Sequence, residues 1–311
     1  MATERRAAID IGTVTARLLV ADVTDGVVDE VVRRSAITHL GEGWTGTGVL
    51  SAHGIARVAD AVGSFAEEAR ALGVQRTVAV ATSAARDASN SHELLGALEA
   101  VGVRPEIISG DREGFLAFLG ATYGFCDERV LVVDVGGGST ELVLGSACGD
   151  GGMHTVDIEM ARSINVGSRR VTELFLASDP PSDAELDRAA AWVADELRPY
   201  FGSLKGRPRD MVAVAGTATS IAAIDLALDP YDPDRVHGYR IGGPSLLDVL
   251  QRLSSITLEE RRRVVGLEPE RAGVIVGGAL ILQSVMAYAG LSSTLVSEHD
   301  ILYGMVLDLD R

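Results

Sequence analysis

The chain has 311 residues, 47% of them apolar, with 44 Asp and Glu against 28 Lys and Arg and a formal net charge of −16. That length gives room for two domains with separate cores, and the acidity excludes the extended basic face that nucleic acid or an anionic membrane surface requires. No apolar run reaches the roughly 20 residues that span a bilayer, and the single lysine, Lys205, lies in Gly202-Ser203-Leu204-Lys205-Gly206 without P-loop spacing, which excludes a Walker-type nucleotide hydrolase.

Met1-Ala2-Thr3-Glu4-Arg5-Arg6 leads directly into Ala7 to Ala21, AAIDIGTVTARLLVA, which reads as strand, tight turn and strand. A cleavable signal would destroy this hairpin, so a cytoplasmic protein is expected. Asp25-Gly26 turns the chain into a third strand, Val27 to Ile37. Ser51 can cap a helix whose apolar positions Ile55, Val58, Ala59, Val62, Phe65, Ala66 and Leu72 keep the helical period up to Gly73. A strand at Thr77 to Ala81, a helix through Leu94, Leu95 and Leu98 to Gly102, and a strand at Glu106 to Ser109 complete the first half. The helix beginning near Asp111 is the expected linker.

The same order restarts with strands at Val130 to Val135, Thr140 to Leu144 and Thr155 to Ile164. Helices near Arg169 to Leu176 and Asp183 to Tyr200 follow. A strand at Met211 to Ala215 runs into Gly216-Thr217-Ala218-Thr219, which opens another helix. After Asp225 the pattern is mainly helical: Ser245 to Leu253, Leu258 to Val264, Arg271 to Ala289, a short strand Thr294 to Ser297, and a last helix from Asp300. Gly277 and Gly278 in the apolar helix permit close approach of another backbone. Cys126 and Cys148 flank the second hairpin without metal or redox spacing and are expected to be reduced and structural. His299, in Ser297-Glu298-His299-Asp300, reads as a metal ligand or, more simply, as part of a helix start.

The second hairpin, Leu131 to Gly145 (LVVDVGGGSTELVLG), repeats the first without a gap. Asp10 falls on Asp134, Gly12 on Gly136, Thr15 on Ser139, and Leu18-Leu19-Val20 on Leu142-Val143-Leu144. Each turn opens with a carboxylate at a strand end and continues with glycine and hydroxyl residues, whose backbone N–H groups can bind an anion. Ordinary Gly-rich hairpins share these features singly; the duplication favours a phosphate clamp. The expected architecture is α/β, two similar domains with a ligand cleft between them.

Six motifs in order then identify a resemblance to the exopolyphosphatase and guanosine pentaphosphate phosphohydrolase (Ppx/GppA) family, in a short two-domain form. They are Asp10-Ile11-Gly12-Thr13, Leu40-Gly41-Glu42-Gly43, Ala81-Thr82-Ser83-Ala84-Ala85-Arg86-Asp87, Ile108-Ser109-Gly110-Asp111-Arg112-Glu113, Asp134-Val135-Gly136-Gly137-Gly138-Ser139-Thr140-Glu141 and Gly216-Thr217-Ala218-Thr219. The resemblance implies two duplicated actin-like ATPase (ribonuclease H-like) domains, 1–117 and 118–311, with the last helix, about 300–311, packing back on the first domain. It implies that Glu113 deprotonates the water attacking a terminal phosphoryl group; a first-turn glutamate also complements a helix dipole. Asp134, Glu141 and Asp10 are the expected Mg²⁺ ligands. Gly12, Thr13, Thr15, Arg17, Arg86, Gly136, Gly137, Gly138, Ser139, Thr140, Gly216 and Thr217 are the expected phosphate contacts.

Three positions depart from the family pattern. Val14 replaces an asparagine and removes a donor, Arg112 places a cation beside Glu113, and Ile301-Leu302-Tyr303-Gly304 stands for Leu-Arg-Glu-Gly. The chain stops at Arg311 without the helical extension of longer members, which suggests shorter substrates. The expected activity is Mg²⁺-dependent release of terminal orthophosphate from inorganic polyphosphate. Guanosine pentaphosphate hydrolysis and a weakly catalytic polyphosphate or alarmone sensor are the alternatives; no nucleic-acid or membrane partner is expected, and a homodimer is left open.

Overall fold

The computed structural model of the chain describes residues 3–150 and 153–309. Met1, Ala2 and the last two positions of the C-terminal helix expected from sequence lie outside the described residues. The chain divides into two compact units, one comprising Met1–Cys126, Ala147–Asp157 and His299–Arg311, the other Asp127–Ser146 and Ile158–Glu298.

The first unit is built on β1 (Glu4–Ile11), β2 (Thr15–Thr24), β3 (Val27–Ile37), β4 (Arg76–Ala81) and β5 (Glu106–Ile107), in the order β3-β2-β1-β4-β5. β1 and β2 are antiparallel, with Asp10 opposite Arg17, whereas β1, β4 and β5 run parallel. β1 is buried continuously from Arg6 to Ile11, as a central strand covered on both faces must be. Ala7, Ile9 and Ile11 pack with Ile55, Val58, Val62 and Phe65 of the helix Ala52–Ala71. Ala8 faces the other way, with Leu116 and Leu119 of the helix Gly110–Ala121 and with Leu302, Met305 and Val306 of the helix Ile301–Asp308. Those two helices meet backbone to backbone. A Cβ at Gly120 would lie 1.8 Å from the carbonyl oxygen of Asp300, and one at Gly304 would lie 1.9 Å from that of Leu116. Gly304 is thus fixed by a helix crossing that no other residue permits.

The second unit contains β6 (Asp127–Val135), β7 (Thr140–Asp150), β8 (Met153–Ile164), β9 (Asp210–Val214), β10 (Arg240–Gly242) and β11 (Ser293–Val296), in the order β10-β11-β9-β6-β7-β8. Read from its far edge, β8-β7-β6-β9-β11 repeats β3-β2-β1-β4-β5, so the duplication seen in two hairpins extends to five strands. β10 is an addition. At three residues it is too short to carry an alternating pattern, and it is held antiparallel to β11. The helix read as Arg271 to Ala289 is a 3-10 turn, Pro269–Arg271, followed by Ile275–Ala289, because Val274 leaves helical geometry at φ −123°. On that helix Gly278 sits against Thr217, 2.6 Å from its Oγ1 to a built Cβ, and Gly277 sits equally close to the carbonyl oxygen of Ser168.

Candidate active site

Both Asp-x-Gly turns close with the same hydrogen bond. Gly12 N donates to Thr15 O and Gly136 N to Ser139 O, each at 3.0 Å, and a Cβ on either glycine would lie 3.0 or 3.1 Å from that acceptor. The tip of each hairpin then rests on a glycine that follows the third strand. Gly41 N donates to Thr13 O, and a Cβ at Gly41 would strike Thr13 Cγ2 at 2.3 Å; a Cβ at Gly167 would lie 2.4 Å from the carbonyl carbon of Gly137. The Leu40-Gly41 motif therefore exists to seat the first hairpin, and Val166-Gly167 is its counterpart. Val14 serves through its backbone, its carbonyl accepting from Thr38 N and His39 N.

In the first unit Asp10, the penultimate residue of β1, is only 3% exposed, and Arg17 donates to its Oδ2 from Nε at 3.0 Å and Nη2 at 2.6 Å. Arg17 Nη1 also pairs with Asp300, which caps the last helix by accepting from Leu302 N. Burial pushes the Asp10 carboxyl above the ordinary aspartate value, the neighbouring Asp300 charge adds to this, and Arg17 opposes it. Arg17, expected at phosphate, thus lies between two carboxylates.

Glu113, 8% exposed, is in the first turn of the helix capped by Ser109, whose Oγ accepts from Arg112 N. Arg86 Nη1 reaches Glu113 Oε2 at 3.1 Å and Ile108 O at 3.0 Å. The side chain of Arg112 instead pairs with Asp308 and lies 5.4 Å over the Phe115 ring. The cation beside Glu113 is therefore Arg86, 27 positions away, which the sequence placed at phosphate and which is bonded here to a carboxylate. Ser83 Oγ, two residues before Ala85, is buried without a hydrogen-bond partner among the described residues.

In the second unit Asp134 and Glu141 are buried carboxylates on either side of the Gly136–Ser139 turn. Glu141 Oε1 accepts from Ser139 Oγ at 2.8 Å and from Ser163 Oγ at 2.7 Å. Ser163, on β8, was not anticipated. Thr140 Oγ1 donates to Val166 O, and Thr217 Oγ1 donates to Val135 O at 3.2 Å, which brings the Gly216-Thr217 turn onto the hairpin. The preceding Ala215 adopts φ 62°, a left-handed conformation costly for a residue with a Cβ. Gly216 admits the Arg271 guanidinium, whose Nη1 would lie 1.5 Å from a Cβ there. Neither feature had a sequence signal, because alanine is not a left-handed residue and Arg271 is distant in the chain.

No group of three His, Cys, Asp or Glu side chains that could cage a metal occurs among the described residues. A magnesium ion needs no such cage, since it retains several waters and takes few carboxylates. Asp134 and Glu141 supply hard oxygen donors on one turn, and two hydroxyls fix the second of them, so this donor set fits the ion. His299 is stacked on Tyr303 with ring centroids 4.0 Å apart.

The model of the Ppx/GppA phosphatase family matches residues 19–309. The chain is 37% identical to Exopolyphosphatase 2 of Mycobacterium tuberculosis, over 99% of each chain. Among solved structures it is similar to an exopolyphosphatase-like protein, with 35% identity, TM-score 0.91 and coverage of 99% of this chain and 98% of the other. It is also similar to the Aquifex aeolicus PPX-GPPA enzyme, with 31% identity, TM-score 0.81 and coverage of 99% and 100%.

Proposed function

Because this chain belongs to the Ppx/GppA phosphatase family, we propose that it is a Mg²⁺-dependent exopolyphosphatase that releases terminal orthophosphate from inorganic polyphosphate. The observation that carries this reading is Glu113, a buried carboxylate held by Arg86 at the start of a helix. A carboxylate fixed in this way is suited to act as a single positioned base. Glu113 takes one proton from water, the water oxygen bonds to the terminal phosphorus, and the bridging P–O bond breaks with its electron pair leaving on the penultimate phosphate. One water is consumed, and the products are orthophosphate and a chain one unit shorter.

The backbone N–H groups of Gly137 and Gly138 bind phosphate oxygens, as do Thr13 and Thr15 in their own turn, while Gly136 and Gly12 close the two turns with their N–H groups and Ser139 and Thr140 give their hydroxyl protons to Glu141 and to Val166 O. Gly216 and Thr217 extend the second set. Arg86 keeps Glu113 aimed, and Arg17 holds Asp10 near the end of its strand. Asp134 and Glu141 are the residues that would hold Mg²⁺, which when bound neutralises charge on the phosphate oxygens.

The test is orthophosphate release from polyphosphates of defined length and from guanosine pentaphosphate, with Mg²⁺ or with EDTA. With a net charge of −16, the protein repels very long polyanions more than short ones. The expected result is highest kcat/KM for short and medium polyphosphate, slower turnover of guanosine pentaphosphate and silence in EDTA. Highest kcat/KM for guanosine pentaphosphate would make alarmone hydrolysis the function, and binding without turnover would make the protein a sensor.

A further inference from the structure

Cys126 lies just before β6 and Cys148 lies in β7, the strand hydrogen-bonded beside it. Their sulfur atoms are 2.7 Å apart and both side chains are exposed; the thiols are free, as the reduced state expected from sequence requires, but they face each other at the surface. The backbone on both sides is already fixed: Thr155 Oγ1 donates to Cys148 O, and Phe125 N donates to Thr122 O. Phosphate hydrolysis has no use for either thiol. We propose that Cys126 and Cys148 form a reversible disulfide, a redox modification site at the open end of the β6–β7 hairpin.

The oxidant is a small-molecule disulfide. One cysteine thiolate attacks a sulfur of the reagent, forms a mixed disulfide and expels the other half as a thiolate. The second cysteine thiolate then attacks the protein sulfur and expels the remaining half. Two protein thiols are oxidised, one small disulfide is reduced to two thiols, and the two cysteine protons end on those products. Exposure gives the reagent access, and the sulfur contact makes the second step intramolecular. The bond joins residues 22 positions apart. The resulting ring includes Asp134, the glycine turn and Glu141, so oxidation constrains the unfolded chain through the phosphate-binding segment.

Purified, reduced, full-length protein should be incubated with oxidised glutathione, quenched with N-ethylmaleimide and examined by intact mass and peptide mapping. The expected product has lost two hydrogen atoms, takes up no maleimide, yields a Cys126–Cys148 linked peptide and reverts with dithiothreitol. Its Tm should rise by about 5 °C, the scale for closing a loop of this size. Cys126→Ser and Cys148→Ser should each stop at a glutathione mixed disulfide on the remaining cysteine. Persistence of two maleimide adducts, separate glutathione adducts on both cysteines of the parent protein, or covalent dimers in place of the internal link would overturn the proposal. These readouts are independent of phosphate release.

Discussion

Arg86 donates to Glu113 at 3.1 Å from the same nitrogen that donates to Ile108 O, so one guanidinium ties the candidate base to the segment just after β5. A glutamine at 113 retains an acceptor for Arg86 but cannot take a proton from water. Glu113→Gln should therefore lower turnover about a hundredfold or more, the usual scale for losing a general base, with the fold retained. Wild-type turnover in the folded variant would remove Glu113 from the chemistry.

Arg17 compensates two buried carboxylates, Asp10 and Asp300. Arg17→Met should cost about 3 kcal/mol at neutral pH, because it strands both charges. The Asp10 carboxyl is already raised above its ordinary value by burial, so the variant should regain stability relative to the parent as pH falls and Asp10 protonates. A Tm deficit that does not change with pH would contradict this electrostatic account.

Gly41 and Gly167 occupy equivalent places but meet different atoms. At Gly41 the obstructing atom is the Thr13 methyl, which can turn, whereas at Gly167 it is the backbone of Gly137. Both alanine variants should lose stability on the scale of 1–3 kcal/mol expected for overpacking, at roughly the upper end for Gly167→Ala. Phosphate release should suffer more in Gly167→Ala, since the displaced segment is the turn itself. Equal effects on stability and kinetics would argue against hairpin seating.

Asp134→Asn removes one charge from the proposed Mg²⁺ donors with little change in size. The Mg²⁺ concentration for half-maximal activity should rise about tenfold or more, and direct titration with Mn²⁺, followed by electron paramagnetic resonance, should show the same weakening. An unchanged titration would exclude Asp134 as a ligand.

Glu185 offers a stability test away from the chemistry. Hydrogen bonds from Ser182, and then from Ser178, hold its pKa down to about 2, against 4.5 ordinarily. A carboxylate with a depressed folded-state pKa stabilises the fold above its unfolded value and loses that contribution as pH falls through the folded one. Glu185→Gln should lower Tm at neutral pH, with the difference closing between about pH 4.5 and 2. A constant difference across that range would show that the capping geometry, not the charge, matters.

The duplicated hairpins were legible because a strand-turn-strand with a carboxylate and glycine is written in consecutive residues, and the helix capped by Ser51 was legible for the same reason, whereas Ser109, read as the end of a strand, caps the helix Gly110–Ala121. What joins those pieces was not. Arg86 finds Glu113 only once β4 and β5 lie side by side, and Arg112 turns to Asp308 only once the last helix packs against the helix carrying Glu113. The glycine in Leu40-Gly41 was visible as a motif, but its reason, contact with Thr13, is tertiary. Ser163 reaches Glu141 across β7 and β8, and β10 is defined by its partner strand and not by its own three residues.

The most direct measurement is hydrolysis of a polyphosphate of single defined length in ¹⁸O-labelled water, with Mg²⁺, followed by mass analysis of all products. Attack of water on the terminal phosphorus predicts one labelled oxygen in each released orthophosphate and an unlabelled chain shorter by one unit. Label in the residual chain, fragments cut from the middle, or orthophosphate without label would contradict the account.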